Sequence, residues 1–372
     1  MPSIYTNDLI DSVAMLESWT QFAGGHSNSV FIAAVGFEQR ASHCYEKWSA
    51  ENRGSVAFLI EYPVNQADNA PQLERFKELS AANDITIEWI TYETATFAGI
   101  LTSKLASQRA GRDIVLDVSS MASFVLYPSL YTICRYASDA TLYIYYTEAA
   151  KYFPEQKDWD EFFEKLVNMD LVERAKHFDD IHFLSVGVDR VYEVPYFSGV
   201  NPDNLPVRTI VFPNFAFERI QYMIDYCCQN CSASRSRMEW FIGVPPRHAN
   251  NNWRHNALWR MYSEPKPKHE VSTLDYKEIL MSLHTIWQDH YLHESLVIAT
   301  AGSKGQHLGI FFFLQMHPEV SLVVSEPSKF TAKKYSEGVG VSWQLSLGKV
   351  SEIVSALQGW NDIHYNWERG TI

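Results

Sequence analysis

The sequence predicts an α/β protein built from two tandem Rossmann-like half-domains with parallel sheets. Apolar stretches of strand length alternate with helical segments, which is the pattern of a parallel sheet with helical crossovers. The same order of strands, helices and loop residues returns about 180 residues later, which indicates an internal duplication. Two strand–loop–helix segments show this most clearly: DIVLDVSSMAS at Asp113–Ser123 and SLVIATAGSKGQ at Ser295–Gln306.

The first half-domain is assigned to residues 1–150. Its strands are near-continuous apolar runs, which are typical of strands buried on both faces of a parallel sheet. The five predicted strands are Ser29–Phe37, Ser55–Pro63, Ile85–Tyr92, Asp113–Ser119 and Ala140–Ala149.

Residues 151–207 interrupt this pattern. They contain an acidic amphipathic helical segment, a predicted hairpin and a linker marked by Pro202 and Pro206. The second half-domain is assigned to residues 208–372. It repeats the order of the first, with Glu218 matching Glu38, Tyr276 matching Tyr92 and Glu326 matching Glu148. Its last strand, within YSEGVGVSWQLSLG, resembles the hairpin segment FLSVGVDRVYEVPYFSG.

Composition restricts the function classes. The chain has 372 residues, 46% of them hydrophobic, and a net charge of −13. It has no basic run that could neutralise the phosphates of duplex nucleic acid, although a few cations suffice for a small anionic ligand. No apolar run approaches the roughly 20 residues that a membrane span needs. Five cysteines and the absence of a signal-peptide pattern favour reduced thiols and a cytoplasmic location.

Candidate ligand contacts follow the ends of the predicted strands, where parallel α/β sheets bind ligands. The turn Gly302-Ser303-Lys304-Gly305-Gln306 offers glycines for close approach, helix N-terminal amides and a lysine, so it is a candidate phosphate cradle. Alternatively, it is a tight turn with a solvated lysine. At the matching position, Ser119 and Ser120 either donate to a phosphate or cap the following helix.

Other candidate contacts come from arginines, aromatic rings and one polar loop. Arg40 and Arg219 each follow a strand end and are either guanidinium clamps for phosphate or partners in surface Glu–Arg pairs. Tyr92 and Tyr276 are expected to pack on bases. The loop containing Asn250 and ending at Arg254 either reads a base edge or is an ordinary long loop.

No residue pattern specifies a reaction. Glu38, Glu218 and His248 are the acid–base candidates if turnover occurs. The histidines are scattered, and Cys227-Cys228-x-x-Cys231 lacks a fourth ligand at suitable spacing, so we expect neither a metal nor a cofactor.

The segments Asp117–Met121 and Thr300–Lys304 resemble the second ligand loop of the CARF family of cyclic-oligonucleotide sensors, which typically reads Asp-x-Thr-Gly-Gly-Thr-Lys. The first segment keeps the aspartate and hydroxyls but lacks the glycines and lysine. The second keeps a threonine, one glycine, a hydroxyl and Lys304 but lacks the aspartate. The SAVED family fuses two CARF-like halves in one chain, which is similar to the duplication here.

This resemblance implies a nucleotide second-messenger site shared by the halves, in a bacterial antiviral defence system. Three hypotheses follow. The chain is a ligand-binding subunit that signals to a partner effector protein, a metal-independent enzyme that cleaves or transfers a nucleotide, or a scaffold subunit with a vestigial pocket.

Overall fold

The computed structural model describes residues 18–22, 26–108, 112–167, 183–201, 204–245, 252–261 and 268–358. The chain forms two compact units, one made of Met1–Lys151 with Ser336–Ile372 and the other of Tyr152–Tyr335. Each unit contains a mixed sheet dominated by parallel strands. The predicted α/β class with Rossmann-like sheets is therefore confirmed.

The first unit is built on a seven-stranded sheet with the order β1-β15-β6-β5-β2-β3-β4. Five neighbouring strands run parallel, β15 runs antiparallel to β6, and β1 runs antiparallel to β15. The strands are β1 Thr20–Gln21, β2 Ser29–Val35, β3 Val56–Glu61, β4 Thr86–Thr91, β5 Asp113–Asp117, β6 Thr141–Thr147 and β15 Ser342–Lys349. The helices are α1 His43–Glu51, α2 Gln66–Asn83, α3 Phe97–Ser107 and α4 Ser123–Tyr136, with α10 over 350–358 at the end of the described chain.

The second unit is built on a six-stranded sheet with the order β11-β10-β9-β12-β13-β8, in which β8 is antiparallel to β13. Its strands are β8 Ser185–Glu193, β9 Val207–Phe212, β10 Ala233–Val244, β11 Lys268–Ser272, β12 Ser295–Thr300 and β13 Ser321–Phe330. Its helices are α5 Gln156–Val167, α6 Phe217–Asn230, α7 Asn252–Met261, α8 Tyr276–His290 and α9 Lys304–Met316. Two further strands have two residues each, β7 Lys151–Tyr152 and β14 Ser336–Glu337.

The five parallel strands have the same order in both sheets. The chain starts in the middle strand, adds two strands on one side, and then returns to add two on the other, which creates a topological switch point. That point lies between β2 and β5 in the first unit and between β9 and β12 in the second. The duplication itself stays a prediction, because a shared strand order alone does not show common descent.

Each sheet also contains an antiparallel strand that the predicted division of the chain assigns elsewhere. Strand β8 follows the first five parallel strands in the chain but joins the second sheet. Strand β15 follows the second five but joins the first sheet. The compact units therefore differ from the predicted division into 1–150, 151–207 and 208–372. Residues 185–193 belong to the second sheet rather than to an insert, and 336–358 belong to the first unit.

The cores follow from the apolar strands. All seven residues of β2 are buried, and the ring of Phe31 packs against Tyr45 and Trp48 of α1, with centroid distances of 4.9–5.6 Å among the three rings. In the second unit, α8 and α9 cross closely at Gly309. A Cβ added there would lie 2.5 Å from both the Ile279 Cβ and the Tyr276 carbonyl oxygen, so this crossing needs glycine. None of the helices in the described part of the chain has the length and apolar character that crossing a bilayer requires.

Candidate functional site

The switch point of the first unit is closed by direct contact between its two loops. A Cβ added at Gly36 would lie 3.1 Å from the Cβ of Ser120, which is a tight contact, so the glycine eases the approach of the two loops. The Ser120 hydroxyl donates to the Ala34 carbonyl oxygen at 2.5 Å. The residue that caps α4 is Ala122, and no side chain caps this helix. The alternative in which these serines cap the helix is therefore wrong, because Ser120 instead ties its loop to β2.

Ser119 belongs to a buried network rather than to a surface. Its backbone N–H and its hydroxyl both donate to the Asp117 Oδ1, at 2.9 and 2.5 Å. Its hydroxyl oxygen also accepts from the Thr147 N–H at 2.8 Å. Ser119 is fully buried. The predicted phosphate contact is therefore replaced by a link from β5 to the end of β6.

Arg40 is buried and bound from two sides within the first unit. Its Nε and Nη2 donate to the Glu38 Oε1 at 3.0 and 2.7 Å, and its Nη1 donates to the Thr147 carbonyl oxygen at 2.8 Å. The same Glu38 oxygen accepts from the Ser336 hydroxyl at 2.6 Å. Arg40 is therefore neither a guanidinium clamp for phosphate nor part of a surface ion pair. Arg40 and Glu38 are both buried, and Arg40 binds the end of β6.

The switch point of the second unit is bridged by a residue that sequence reasoning missed. The Asn214 amide donates to the Ala301 carbonyl oxygen at 2.8 Å, and its oxygen accepts from the Ala216 N–H at 2.8 Å. Asn214 thus joins the loop after β9 to the loop after β12. The sequence signal for this role is the asparagine after Pro213, because asparagine side chains often stabilise turns by hydrogen bonding to the backbone two residues further on.

The Gly302–Gln306 turn begins α9 with a capping box. The Ser303 hydroxyl accepts from the Gln306 N–H at 3.3 Å, and the Gln306 Oε1 accepts from the Ser303 N–H at 2.9 Å. A Cβ added at Gly305 would lie 2.5 Å from the Leu274 carbonyl oxygen, so this glycine allows close packing. Lys304 is half-buried at the first helical position. The turn therefore has a structural role in addition to any ligand contact.

The Gln306 side chain is buried and keeps one polar atom unsatisfied. Its Nε2 has no hydrogen-bond partner among the described residues. This nitrogen lies 3.1 Å from the Cβ position of Gly243, near the end of β10. A buried amide donor without a partner costs about 1–3 kcal/mol. An acceptor supplied from outside the protein would remove this cost.

Arg219 occupies the place in the second unit that Arg40 occupies in the first. Its Nε donates to the Ser325 hydroxyl at 3.0 Å, and its Nη2 donates to the Ser325 carbonyl oxygen at 2.8 Å. Glu218 turns elsewhere and accepts from the Gly187 N–H at 3.0 Å. No carboxylate of the described residues forms an ion pair with Arg219, which is 6% exposed. Burial lowers the pKa of Arg219, opposed in part by Tyr335 and Glu326.

The pKa of His307 is affected by the positive charges at this edge of the second sheet. The imidazole is buried on the first turn of α9. Burial lowers the pKa of His307 well below its usual range, and the charges of Lys304 and Arg219 lower it further. Two cations therefore act on one buried, neutral imidazole near the switch point.

The two equivalent tyrosines are core residues. The Tyr92 hydroxyl donates to the Phe124 carbonyl oxygen at 3.1 Å, and its ring packs on Phe97 and Phe124. Tyr276 is buried beside Phe312 and α9. The expectation that these rings pack on bases is corrected, because both are already covered by their own unit.

Arg254 also binds protein. Its Nη2 donates to the carbonyl oxygens of Tyr152 and Pro154 at 2.6 and 2.5 Å, and its guanidinium lies over the Phe215 and Trp253 rings. Burial lowers the pKa of Arg254 to about 10. It anchors α7 rather than presenting a free cation. Two other predicted site residues, His248 and Asn250, lie outside the described residues.

Metal ligation has no support in the described part of the chain. No group of three or more His, Cys, Asp or Glu side chains there is arranged to hold a metal ion. The five cysteines are free thiols, and Cys227 is buried on α6. Burial raises the pKa of Cys44, and that of Cys134 to about 12, so both are held as thiols.

A second buried polar cluster lies at the opposite edge of the second unit. The His284 Nδ1 and the His317 Nε2 are 3.1 Å apart, and the Trp287 indole N–H donates to the Glu319 Oε1 at 2.8 Å. Both histidines are buried. Burial lowers the pKa of His317, although Glu319 opposes this shift.

Comparison with known proteins is limited to distant folds. No family model and no curated protein matches the chain. A protein assigned provisionally as a sarcosine dimethylglycine methyltransferase from Galdieria sulphuraria has 10% identity and a TM-score of 0.19, covering 61% of this chain and 72% of its own. The NADP-bound N-domain of a bacterial malonyl-CoA reductase has 7% identity and a TM-score of 0.21, covering 94% and 90%.

A third structure is a provisionally assigned methyltransferase from an antibiotic biosynthesis pathway of Anabaena variabilis. It has 11% identity and a TM-score of 0.19, covering 92% of this chain and 96% of its own. At these scores the comparisons carry no information about ligand, reaction or partner.

Proposed function

We propose that this chain is a subunit that binds a small anionic ligand of nucleotide type, with a phosphate recognised at the carboxyl edge of the second sheet. The observation that carries the proposal is the buried guanidinium of Arg219, which has no carboxylate partner among the described residues. A buried charge costs several kcal/mol unless an opposite charge compensates it. A bound anion would supply that compensation.

The surroundings of Arg219 suit a phosphate. Helices α6 and α9 both begin at this edge, and helix N-termini favour anions through their amides and dipoles. Lys304 begins α9 and adds a second cation. The Gln306 Nε2 is a donor that still lacks an acceptor among the described residues. All three features lie by the switch point, where open α/β sheets bind their ligands.

The resemblance of the Asp117–Met121 and Thr300–Lys304 segments to cyclic-oligonucleotide sensors narrows the proposal. The ligand would be a cyclic oligonucleotide, and the bound chain would signal to a partner effector protein in a bacterial antiviral defence system. A phosphodiester ring presents several anions to the protein, which fits a site built from cations and helix N-termini.

Binding is favoured over turnover by the contacts of two acid–base candidates, Glu38 and Glu218. The Glu38 carboxylate is held by Arg40 and by the Ser336 hydroxyl. This carboxylate is buried and makes these contacts within its own unit. The Glu218 carboxylate accepts a backbone N–H from Gly187. We therefore keep nucleotide cleavage or transfer, and a scaffold with a vestigial pocket, as the outcomes against which binding is tested.

The test uses the full chain and a panel of inorganic phosphate, mononucleotides and cyclic oligonucleotides. Calorimetry and thermal shift should reveal binding by at least one nucleotide. Lys304→Ala should weaken it about 10- to 150-fold, which corresponds to one charge-assisted hydrogen bond of about 1.5–3 kcal/mol. Lys157→Ala removes an exposed lysine on α5 of the same unit and should leave affinity unchanged.

Mass spectrometry of the ligand after incubation separates the remaining hypotheses. A ligand recovered unchanged supports binding, and a cleaved or transferred product supports an enzyme. If no member of the panel raises the melting temperature above the buffer control, the ligand-binding proposal is overturned and the scaffold reading takes its place.

A further inference from the structure

The two units hold an arginine at the same structural position. The Arg40 Nη1 donates to the Thr147 carbonyl oxygen at 2.8 Å, and the Arg219 Nη2 donates to the Ser325 carbonyl oxygen at 2.8 Å. Thr147 ends β6, Ser325 lies in β13, and each of these is the fifth parallel strand of its own sheet. Each arginine therefore lies in the first turn after the first parallel strand of its sheet and binds the fifth.

The charge balance at this position differs between the units. In the first unit the Glu38 carboxylate accepts two hydrogen bonds from Arg40 and neutralises it. In the second unit the neutral Ser325 hydroxyl accepts from the Arg219 Nε at 3.0 Å. Glu218 is engaged by the Gly187 N–H instead. Arg40 therefore has an ion-paired carboxylate in its own unit, whereas no carboxylate of the described residues forms an ion pair with Arg219.

A difference of one residue in spacing explains this contrast. Glu38 and Arg40 are separated by Gln39, and Glu38 is extended, with φ −71° and ψ 137°, before the 3₁₀ turn Gln39–Ser42. This geometry turns the two side chains toward each other. Glu218 and Arg219 are adjacent in the first turn of α6. Adjacent helical residues point about 100° apart and do not face each other.

We propose that Glu38 is a built-in counter-ion that closes the first unit to anions, so that a phosphate group is accepted by the second unit alone. The inference rests on the function proposed above and makes Glu38 and Ser325 the residues that determine which unit binds. In the first unit the carboxylate occupies the charge position that the phosphate takes in the second. The chain therefore binds one phosphate group tightly, despite having two arginines in equivalent places.

The experiment measures the stoichiometry and affinity of inorganic phosphate and pyrophosphate on the full chain, by calorimetry at low ionic strength. The unchanged protein should bind one equivalent. Ser325→Asp places a carboxylate against Arg219, as Glu38 does for Arg40, and should weaken binding at least 100-fold. Ser325→Asn has nearly the same size without the charge and should keep the affinity within a few-fold. Glu38→Gln frees the charge of Arg40 and should add a second equivalent.

Each outcome decides between the two proposals. No binding by the unchanged protein, of either probe or of the nucleotide panel, overturns the proposed function itself. One equivalent in the unchanged protein together with full affinity in Ser325→Asp overturns only the counter-ion inference, as do two equivalents in the unchanged protein. If Glu38→Gln does not fold, judged by circular dichroism, the comparison of Ser325→Asp with Ser325→Asn still decides the inference.

Discussion

Replacing Leu345 by alanine should destabilise the first unit, although Leu345 follows the whole second unit in the chain. Leu345 is fully buried in β15 and lies opposite Ile144 of β6. Truncating a buried leucine to alanine removes its transfer free energy and leaves a cavity, at a cost of about 2–5 kcal/mol. The whole stability of a domain is only about 5–15 kcal/mol, so this single change should weaken the first sheet severely.

Native-state hydrogen exchange measures where the loss falls. Amides of β5 and β6 that exchange by opening of the unit should exchange about 30-fold to several thousand-fold faster, which is the same 2–5 kcal/mol expressed as an equilibrium constant. Leu292→Ala is the matched control, because Leu292 is 63% exposed in the second unit. Its effect should stay within about 0.5 kcal/mol.

The pattern of protection can refute the reasoning. If Leu345→Ala accelerates exchange in β9 and β12 while β5 and β6 keep their protection, then β15 stabilises the second sheet and the described pairing is incorrect. Equal acceleration in both sheets would show that the two units unfold as one.

The other predictions concern packing, capping and pH. Gly309→Ala should lower the free energy of unfolding by about 1–3 kcal/mol through overpacking. Gly99→Ala, with nothing within 4 Å of the added Cβ, should instead stabilise its helix by about 0.5–1 kcal/mol. Urea unfolding compares the two variants, and equal effects would contradict the described helix crossing. Ser303→Ala should cost about 0.5–2 kcal/mol in the same assay by removing the capping box, and an unchanged midpoint would exclude that role. Burial lowers the pKa of both His307 and His317 from 6.5. The unfolded chain therefore binds more protons, so stability should be complete above pH 6.5 and decline as the pH falls below it. Thermal unfolding at several pH values checks this, and His317→Gln should flatten the dependence.

The parallel strands were predictable because burial on both faces leaves a direct mark on composition. Strand β2 is apolar along almost its whole length, and all its residues are buried. The placement of β8 and β15 was not predictable in the same way. The sequence shows that the two segments resemble each other, but the residues of an antiparallel edge strand do not specify which sheet it joins. Pairing is then decided by which sheet offers a free edge within reach of the chain.

The surroundings of the candidate site residues could not be predicted from the sequence. Arg40 and Arg219 each bind the fifth parallel strand of their sheet. The sequence does not show that an arginine beside a strand end is buried. The sequence does contain one difference between the two positions: Gln39 separates Glu38 from Arg40, whereas Glu218 and Arg219 are adjacent. Tyr92 was assigned to ligand stacking because an aromatic residue at a strand end suits either a base or a core, and only packing distinguishes them.

The placement of β8 and β15 has a consequence for synthesis on the ribosome. About 200 residues separate the end of β6 from the end of β15, so at roughly 5–20 residues per second β6 waits about 10–40 s for its antiparallel neighbour. All strands of the second sheet emerge within that interval. The unit whose strands are made first is therefore completed last, and until β15 emerges the unpaired edge of β6 is open to pairing with other polypeptides.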